Sequence, residues 1–346
     1  MLELSELKAA WHIEKIGDLR RGKDVVPSHV QIILSDLCNQ DCHFCAYRME
    51  GGFSTEKFGV DGNKNPNRRI PTEKVFEILS DCASLGVEAI EFTGGGEPTV
   101  HPDWEKIITY AQSLGLSTGL VTNAVRLKDC PAVDGLTWLR VSLDAGKKET
   151  YQRIRKSLAW DKVMKNLDML GKKKGPLIGV GFVLTRENYK ELEDCAKIVK
   201  GFGIPYIRVS AMFSTGGADY YDGLIDEINA QRILAKNLED DNFKVVDFFD
   251  DRVLDLKKES PDYSFCGYQQ FVLYIGGDQK VYTCCTNAYT TAGEIGDLSN
   301  MSFASWLKSH RRYEFDARKC HHCQFNNKNK IIDYLINPSP AHIGFV

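Results

Sequence analysis

From His29 onward, short apolar runs alternate with segments of helical period. The runs His29 to Leu34, Ala89 to Thr93, Ser117 to Thr122, Trp138 to Leu143, Ile178 to Leu184 and Tyr206 to Ser210 have strand length, while Thr72 to Leu85, Trp104 to Leu114, Trp160 to Leu170 and Tyr189 to Phe202 read as amphipathic helices. Parallel strands need a crossover between them, so this alternation implies right-handed βαβ units around a parallel sheet. Six such units fit before about residue 215, which predicts an α/β chain built on a partial (β/α)6 TIM-like barrel open on one side. Polar and glycine-rich segments follow the strands, where folds of this kind place their chemistry.

The rest of the chain divides around that core. Over residues 2 to 16, Leu4, Leu7 and Trp11 share one face with Gly17 as the stop, so residues 1–28 read as a helical extension. Residues 29–215 form the core. Residues 216–261 read as a helical linker with a helix over Asp226 to Leu238, and residues 262–346 as a small α+β domain. In that domain Val272, Tyr274 and Val281 alternate about Gly276-Gly277-Asp278, a hairpin pattern. The residues before the first strand are too few for a leader-peptide-binding domain. A formal charge of -3 with interspersed signs gives no membrane or general nucleic-acid surface, although Arg68-Arg69 and Lys172 to Lys174 leave nucleic acid open. No apolar run approaches the ~18 residues that span a bilayer, and no signal peptide is present, so a cytoplasmic protein is expected.

Eleven cysteines are unevenly spread: three lie between Cys38 and Cys45, and five from Cys266 onward. In a reducing compartment such clusters point to metal rather than disulfides. Cys82, Cys130 and Cys195 read as ordinary small apolar residues. Cys38, Cys42 and Cys45 form Cys-x3-Cys-x2-Cys directly after the first strand, and three thiolates on one loop can hold three irons of a cubane and leave the fourth open. The alternative is a zinc knuckle completed by His43.

This spacing, with Phe44 before the last cysteine and Gly94-Gly95-Gly96-Glu97-Pro98 after the second strand, resembles the radical S-adenosylmethionine (SAM) superfamily. The resemblance implies that the amino and carboxylate groups of SAM chelate the open iron. An electron from the cluster then yields methionine and a 5'-deoxyadenosyl radical that abstracts hydrogen. It further implies that Gly94, Gly95, Gly96 and Glu97 bind the SAM amino group. Asn123 and, after the fourth strand, Ser142 and Asp144 would be polar contacts to the carboxylate and ribose, with Arg155 near the carboxylate. Val180 to Val183 and Asn188 would lie by the adenine. Strand-end caps and a surface arginine are the plainer readings of Ser142, Asp144 and Arg155.

Farther on, Cys266-x17-Cys284 and Cys320-x2-Cys323 supply four thiolates, enough to saturate a second 4Fe-4S cluster. Cys285 is an alternative to Cys284, and four cysteines also suit zinc. His321 and His322 either lie near this site or face solvent. The Gly277 to Cys285 run, Gly293 to Leu298 and Ser305-Trp306-Leu307 resemble the SPASM/Twitch extension of radical SAM enzymes, in its shorter Twitch form.

A fully ligated second cluster cannot bind substrate, so its simplest role is to accept or relay an electron. That points to a radical SAM oxidoreductase performing dehydrogenation or oxidative bond formation on a peptide or small polar substrate, with an external one-electron donor such as flavodoxin or ferredoxin. The alternative is a mutase or epimerase, on a nucleoside or nucleic-acid base for example, with a structural second cluster. Tyr47, Arg48 as an orienter, and Met212 to Tyr221 are candidates near a proton-removal step, and none is assigned as the base.

Overall fold

A computed structural model describes residues 6–52, 54–59, 62–213, 216–258, 260–310, 315–320 and 322–337. Leu4, Ser214, Thr215 and His321 lie outside them. The amino-terminal segment departs from its expected pattern. A 3-10 turn over Glu6–Trp11 precedes α1 (Ile13–Arg20), Gly17 lies inside that helix, and the positive-φ Gly22 follows its end. Leu7 and Trp11 are exposed, whereas Ile16 and Leu19 are buried with Ile332 and Ile336 of a carboxy-terminal helix. The docking face therefore belongs to α1, which a distant helix selects.

The core then runs β1 (His29–Ile33), α2 (Thr72–Leu85), β2 (Ala89–Thr93), α3 (Trp104–Ser113), β3 (Ser117–Thr122), α4 (Pro131–Asp134), β4 (Trp138–Ser142), α5 (Lys148–Arg155), α6 (Trp160–Gly171), β5 (Leu177–Leu184), α7 (Leu192–Gly201) and β6 (Tyr206–Ala211). β1 to β6 pair in sequence order, all parallel. Strand pleat sends alternate residues to opposite faces. One face carries Val30, Ile32, Ile90, Phe92, Leu139, Val141, Val180, Phe182, Ile207 and Val209, buried in one core with helix residues such as Val75, Ile107 and Val163. The other face, turned to the barrel interior, carries Gln31, Glu91, Arg140, Ser142, Gly179, Gly181 and Arg208. An interior filled only for packing would carry bulky branched residues in layers. This one mixes polar groups and glycines with Ile33, Val121, Trp138, Val183 and Tyr206. A Cβ on Gly179 would sit 2.0 Å from the Tyr206 ring, so the glycine admits the neighbouring strand's aromatic side chain.

The segment expected as a helical linker is not helical alone. It contains α8 (Ile225–Lys236), β7 (Lys244–Asp247), which extends the parallel sheet beside β6, and α9 (Phe249–Leu256). Short α10 (Tyr268–Phe271) leads into β8 (Val272–Ile275), which pairs parallel with β1 on the other side. β8 turns through Gly276 to Gln279 into antiparallel β9 (Lys280–Tyr282), the expected hairpin, and β10 (Glu294–Asp297) pairs with β9. α11 (Phe303–Ser309) and α12 (Asn326–Ile336) complete the described chain. The strand order is β10-β9-β8-β1-β2-β3-β4-β5-β6-β7, so the sheet does not close and the carboxy-terminal strands continue the core sheet. Among the described residues no helix is long and apolar enough to cross a membrane.

Candidate functional site

The loop leaving β1 carries Cys38, Cys42 and Cys45, and its shape is held from outside by polar side chains. Asn65 accepts from the Cys38 amide at 3.0 Å and donates to the Cys38 carbonyl at 3.1 Å. The buried Arg48 guanidinium donates to the Gln40 carbonyl at 2.9 Å and to Asn65 at 2.9 Å. Arg48 thus ties the loop together, which accounts for its burial without a role beside a base. His43 turns away from the thiols, 3.3 Å from the Ile154 carbonyl and 3.2 Å from Glu187. That argues against its completing a zinc site. Burial pushes the Cys38 thiol up to about 11 and the Cys42 thiol up to about 12, and raises Cys45 as well. Free thiols here stay protonated, so a bound metal would have to displace protons.

The glycine run after β2 presses against this loop. A Cβ on Gly96 would lie 2.3 Å from the Leu37 carbonyl oxygen, so only glycine lets the two backbones meet. Glu97 is buried, and its carboxylate is engaged by the chain itself. One oxygen accepts from the Thr99 amide at 3.1 Å, the Thr99 hydroxyl at 2.6 Å and the Thr122 hydroxyl at 2.6 Å; the other accepts from the Asn123 amide at 2.8 Å. Burial outweighs these bonds and raises its pKa. Glu97 is therefore a clamp between the loops after β2 and β3, a task the expected ammonium contact did not anticipate. Asn123, oriented by that clamp, points its amide at Asn39 (2.7 Å) and at the Cys38 sulfur (3.9 Å).

Asp144 and Arg155 form a buried ion pair rather than a strand cap and a surface arginine. Asp144 adopts a positive φ of 58° and accepts from the Val183 amide at 2.6 Å. Arg155 also donates to the Leu143 carbonyl at 3.1 Å and to Gln40 at 2.8 Å, with the Cys42 sulfur at 3.8 Å and the Phe44 ring at 5.9 Å. Asn188 locks the same corner by donating to the Asp144 and Val183 carbonyls, both at 2.8 Å. Ser142 ends β4 on the inner face, level with Gly181. The structure thus gathers Cys38, Cys42, Phe44, Glu97, Asn123, Asp144 and Arg155 around one mouth of the barrel. Gln40 and Asn65 were missed, since no motif spacing marks them.

The second thiol set converges separately. Cys266, Cys284, Cys320 and Cys323 line one cavity with Tyr263, Tyr268, Asn287 and the half-buried His322, so His322 belongs to the site rather than to solvent. Asn287 donates to the Cys320 sulfur at 3.0 Å, and Tyr263 to the Cys323 sulfur at 3.1 Å. Cys285 lies outside this lining. Its sulfur accepts from Gln324 at 3.0 Å, and it packs beside Tyr47 and Tyr274. Among the described residues no three His, Cys, Asp or Glu side chains converge closely enough for a single metal ion. Zinc needs every sulfur about 2.3 Å from one point, whereas a cubane seats each on its own iron. Three thiols on one loop and four around one cavity are donor sets that iron-sulfur clusters use.

Two candidates for proton removal are otherwise engaged. Tyr47 is half-buried, its hydroxyl 2.5 Å from that of Tyr274, and desolvation of that hydroxyl holds it well above the usual phenol range. Tyr221 donates to the Leu184 carbonyl at 2.9 Å and accepts from the Met212 amide. Both act as hydrogen-bonded packing groups here.

Residues 32–199 match the Radical SAM superfamily. A probable GTP 3',8-cyclase from Saccharolobus islandicus (strain M.14.25 / Kamchatka #1) is 24% identical over 191 residues, covering 54% of this chain and 58% of that protein. Mycofactocin maturase MftC from Mycolicibacterium smegmatis is 25% identical over 224 residues, covering 63% of this chain and 53% of that protein. The chain thus spans little more than half the length of these curated relatives. Among solved structures, SuiB of Streptococcus suis bound to precursor peptide SuiA superimposes with a TM-score of 0.60 at 14% identity, covering 87% of this chain and 69% of that one. Native anSMEcpe with bound AdoMet gives 0.59 at 16% identity, covering 88% of each chain. At such identities the likeness is one of fold.

Proposed function

We propose that this chain, whose residues 32–199 match the Radical SAM superfamily, reductively cleaves SAM at the three-thiol loop and carries out a net two-electron oxidation of a peptide or small polar substrate. A 4Fe-4S cluster on Cys38, Cys42 and Cys45 would supply the electron that breaks a carbon–sulfur bond of SAM, giving the 5'-deoxyadenosyl radical that takes a substrate hydrogen. The chain's own residues set the stage for this. Gly94 to Gly96 bring bare backbone to the ligand, Glu97 fixes Asn123 beside Cys38, and the Asp144–Arg155 pair fixes the wall beside Cys42.

The observation that carries the oxidative reading is the difference between the two thiol sets: three on the loop after β1, four lining one cavity. A saturated cluster on Cys266, Cys284, Cys320 and Cys323 suits electron uptake rather than substrate binding. A peptide or small molecule is the proposed substrate, and a flavodoxin or ferredoxin the proposed donor. The test is iron, sulfide and 5'-deoxyadenosine measured on anaerobically reconstituted wild type and on a C38A/C42A/C45A variant. About eight irons in wild type, about four in the variant, and 5'-deoxyadenosine from wild type alone support the reading. Nucleoside production by the triple variant would overturn the assignment of the loop. A product lighter than substrate by about two mass units marks dehydrogenation, and an unchanged mass would move the reaction to the mutase or epimerase class.

A further inference from the structure

The inner face of β4, β5 and β6 carries two cations, Arg140 and Arg208, that have no carboxylate partner among the described residues. Arg140 stands on β4 opposite Gly179 of β5, and Arg208 stands on β6 opposite Gly181. A Cβ on Gly181 would meet the Arg140 side chain at 3.6 Å, so Arg140 runs along bare β5 backbone toward the level of Arg208. The Arg140 guanidinium lies 5.6 Å from the Trp138 ring centroid, and that of Arg208 lies 4.9 Å from Phe248. Such stacking holds each head in place while leaving its N–H groups free to point at a ligand.

Several other arginines of this chain are paired with acids, and the buried Arg48 is satisfied by the Gln40 carbonyl and Asn65 oxygens. Arg155 pairs with Asp144, Arg232 with Asp247 and Asp250, and Arg252 with Asp255. Among the described residues neither Arg140 nor Arg208 has a carboxylate oxygen within 4.0 Å. Glu91, the acid on the same inner face, is held at 2.8 Å by Gln31 and lies 3.5 Å from His29. Burial, then the like charges of Arg140 and Arg252, outweigh the opposing influence of Tyr206 and Glu91 and push Arg208 down to about 9. Two crowded, half-buried cations are costly unless an anion joins them.

We propose that Arg140 and Arg208 form a clamp inside the barrel that binds an oxyanion, carboxylate or phosphate, of the substrate. The clamp rests on the reading of the barrel as a SAM-dependent active site and names the chemistry its substrate must carry. Guanidinium groups match planar or tetrahedral oxyanions with paired N–H donors, and two of them fix both position and rotation. Seated across β5, the anion would anchor one end of the substrate below the mouth where Cys42, Asn123 and Arg155 meet.

The experiment titrates inorganic phosphate and, separately, acetate into the reconstituted protein by anaerobic calorimetry, for wild type, R140Q, R208Q and R208K. SAM affinity and uncoupled 5'-deoxyadenosine release are measured on the same samples. Saturable binding of one anion per wild-type chain is expected, weakened at least tenfold in R140Q and R208Q and less in R208K, with SAM affinity within twofold of wild type. Preference for phosphate assigns a phosphate ester, and preference for acetate a carboxylate. In wild type, the bound anion should also protect Arg140 and Arg208 from phenylglyoxal, a readout that needs no variant. Absence of saturable binding, unchanged binding in R140Q and R208Q, or a parallel loss of SAM affinity would overturn the clamp. Failure of wild type to release 5'-deoxyadenosine would instead strike the SAM reading and leave the anion result standing.

Discussion

Replacing Glu97 by alanine should damage the fold before it damages any ligand contact. The wild-type carboxylate satisfies four donors, two of them backbone amides, those of Thr99 and Asn123. The two threonine hydroxyls can rotate to other acceptors, but the amides cannot turn without moving the chain. Each buried amide left unsatisfied costs about 1–3 kcal/mol, so E97A should lose about 2–6 kcal/mol. In E97Q the side-chain oxygen can keep the cluster of three donors, while its NH2 faces the Asn123 amide, donor against donor. One amide is then orphaned, for a loss of about 1–3 kcal/mol. The same displacement frees Asn123 from its position beside Cys38, so E97A should also weaken retention of iron by the loop. The assay is anaerobic urea unfolding of the reconstituted proteins followed by tryptophan fluorescence, with iron counted on each sample. A loss below about 1 kcal/mol in E97A, or equal losses in E97A and E97Q, would refute the clamp.

Three further outcomes follow from particular contacts. C284A should retain about four irons of the wild-type eight, whereas C285A should retain all, because Cys284 lines the four-thiol cavity and Cys285 does not; equal iron in both variants would reject that assignment. G96A should lose about 1–3 kcal/mol or more and bind the first cluster poorly, since its Cβ would meet backbone oxygen at 2.3 Å and backbone yields little; cluster absorbance and unfolding midpoint check this. Asp36 is buried against Tyr289 and Arg68, and burial raises its pKa from 3.8 to about 6. The folded state therefore holds its proton more tightly than the unfolded chain. Its contribution is most favourable below about pH 4 and declines by about 3 kcal/mol as pH rises through 6. The stability of wild type relative to D36N should fall over that window, and a flat difference would show that Asp36 titrates normally.

Much of the site was legible because its signals are local. Cys38, Cys42 and Cys45 share one loop, Gly94 to Glu97 another, and strand-helix alternation needs only a few residues to read. The same locality explains the failures. Over residues 2 to 16 a short apolar stripe at helical spacing included Leu7 and Trp11, yet docking against α12 selected Ile16 and Leu19. β7 has four residues in a charged segment, and its partner β6 made it a strand.

What the sequence by itself determined is the parallel α/β core, the two thiol sets and the glycine-rich loop, each encoded within a window of adjacent residues. Tertiary structure alone decided that Cys284 rather than Cys285 joins the four-thiol cavity, and that Glu97 is a clamp. It also paired Asp36 with Tyr289 across 253 residues of chain and left Arg140 and Arg208 together without an acid. The reason is physical: a residue's type and spacing set what it can bond, but burial, strand register and the direction of a side chain set what it meets, and those depend on segments far away in the chain.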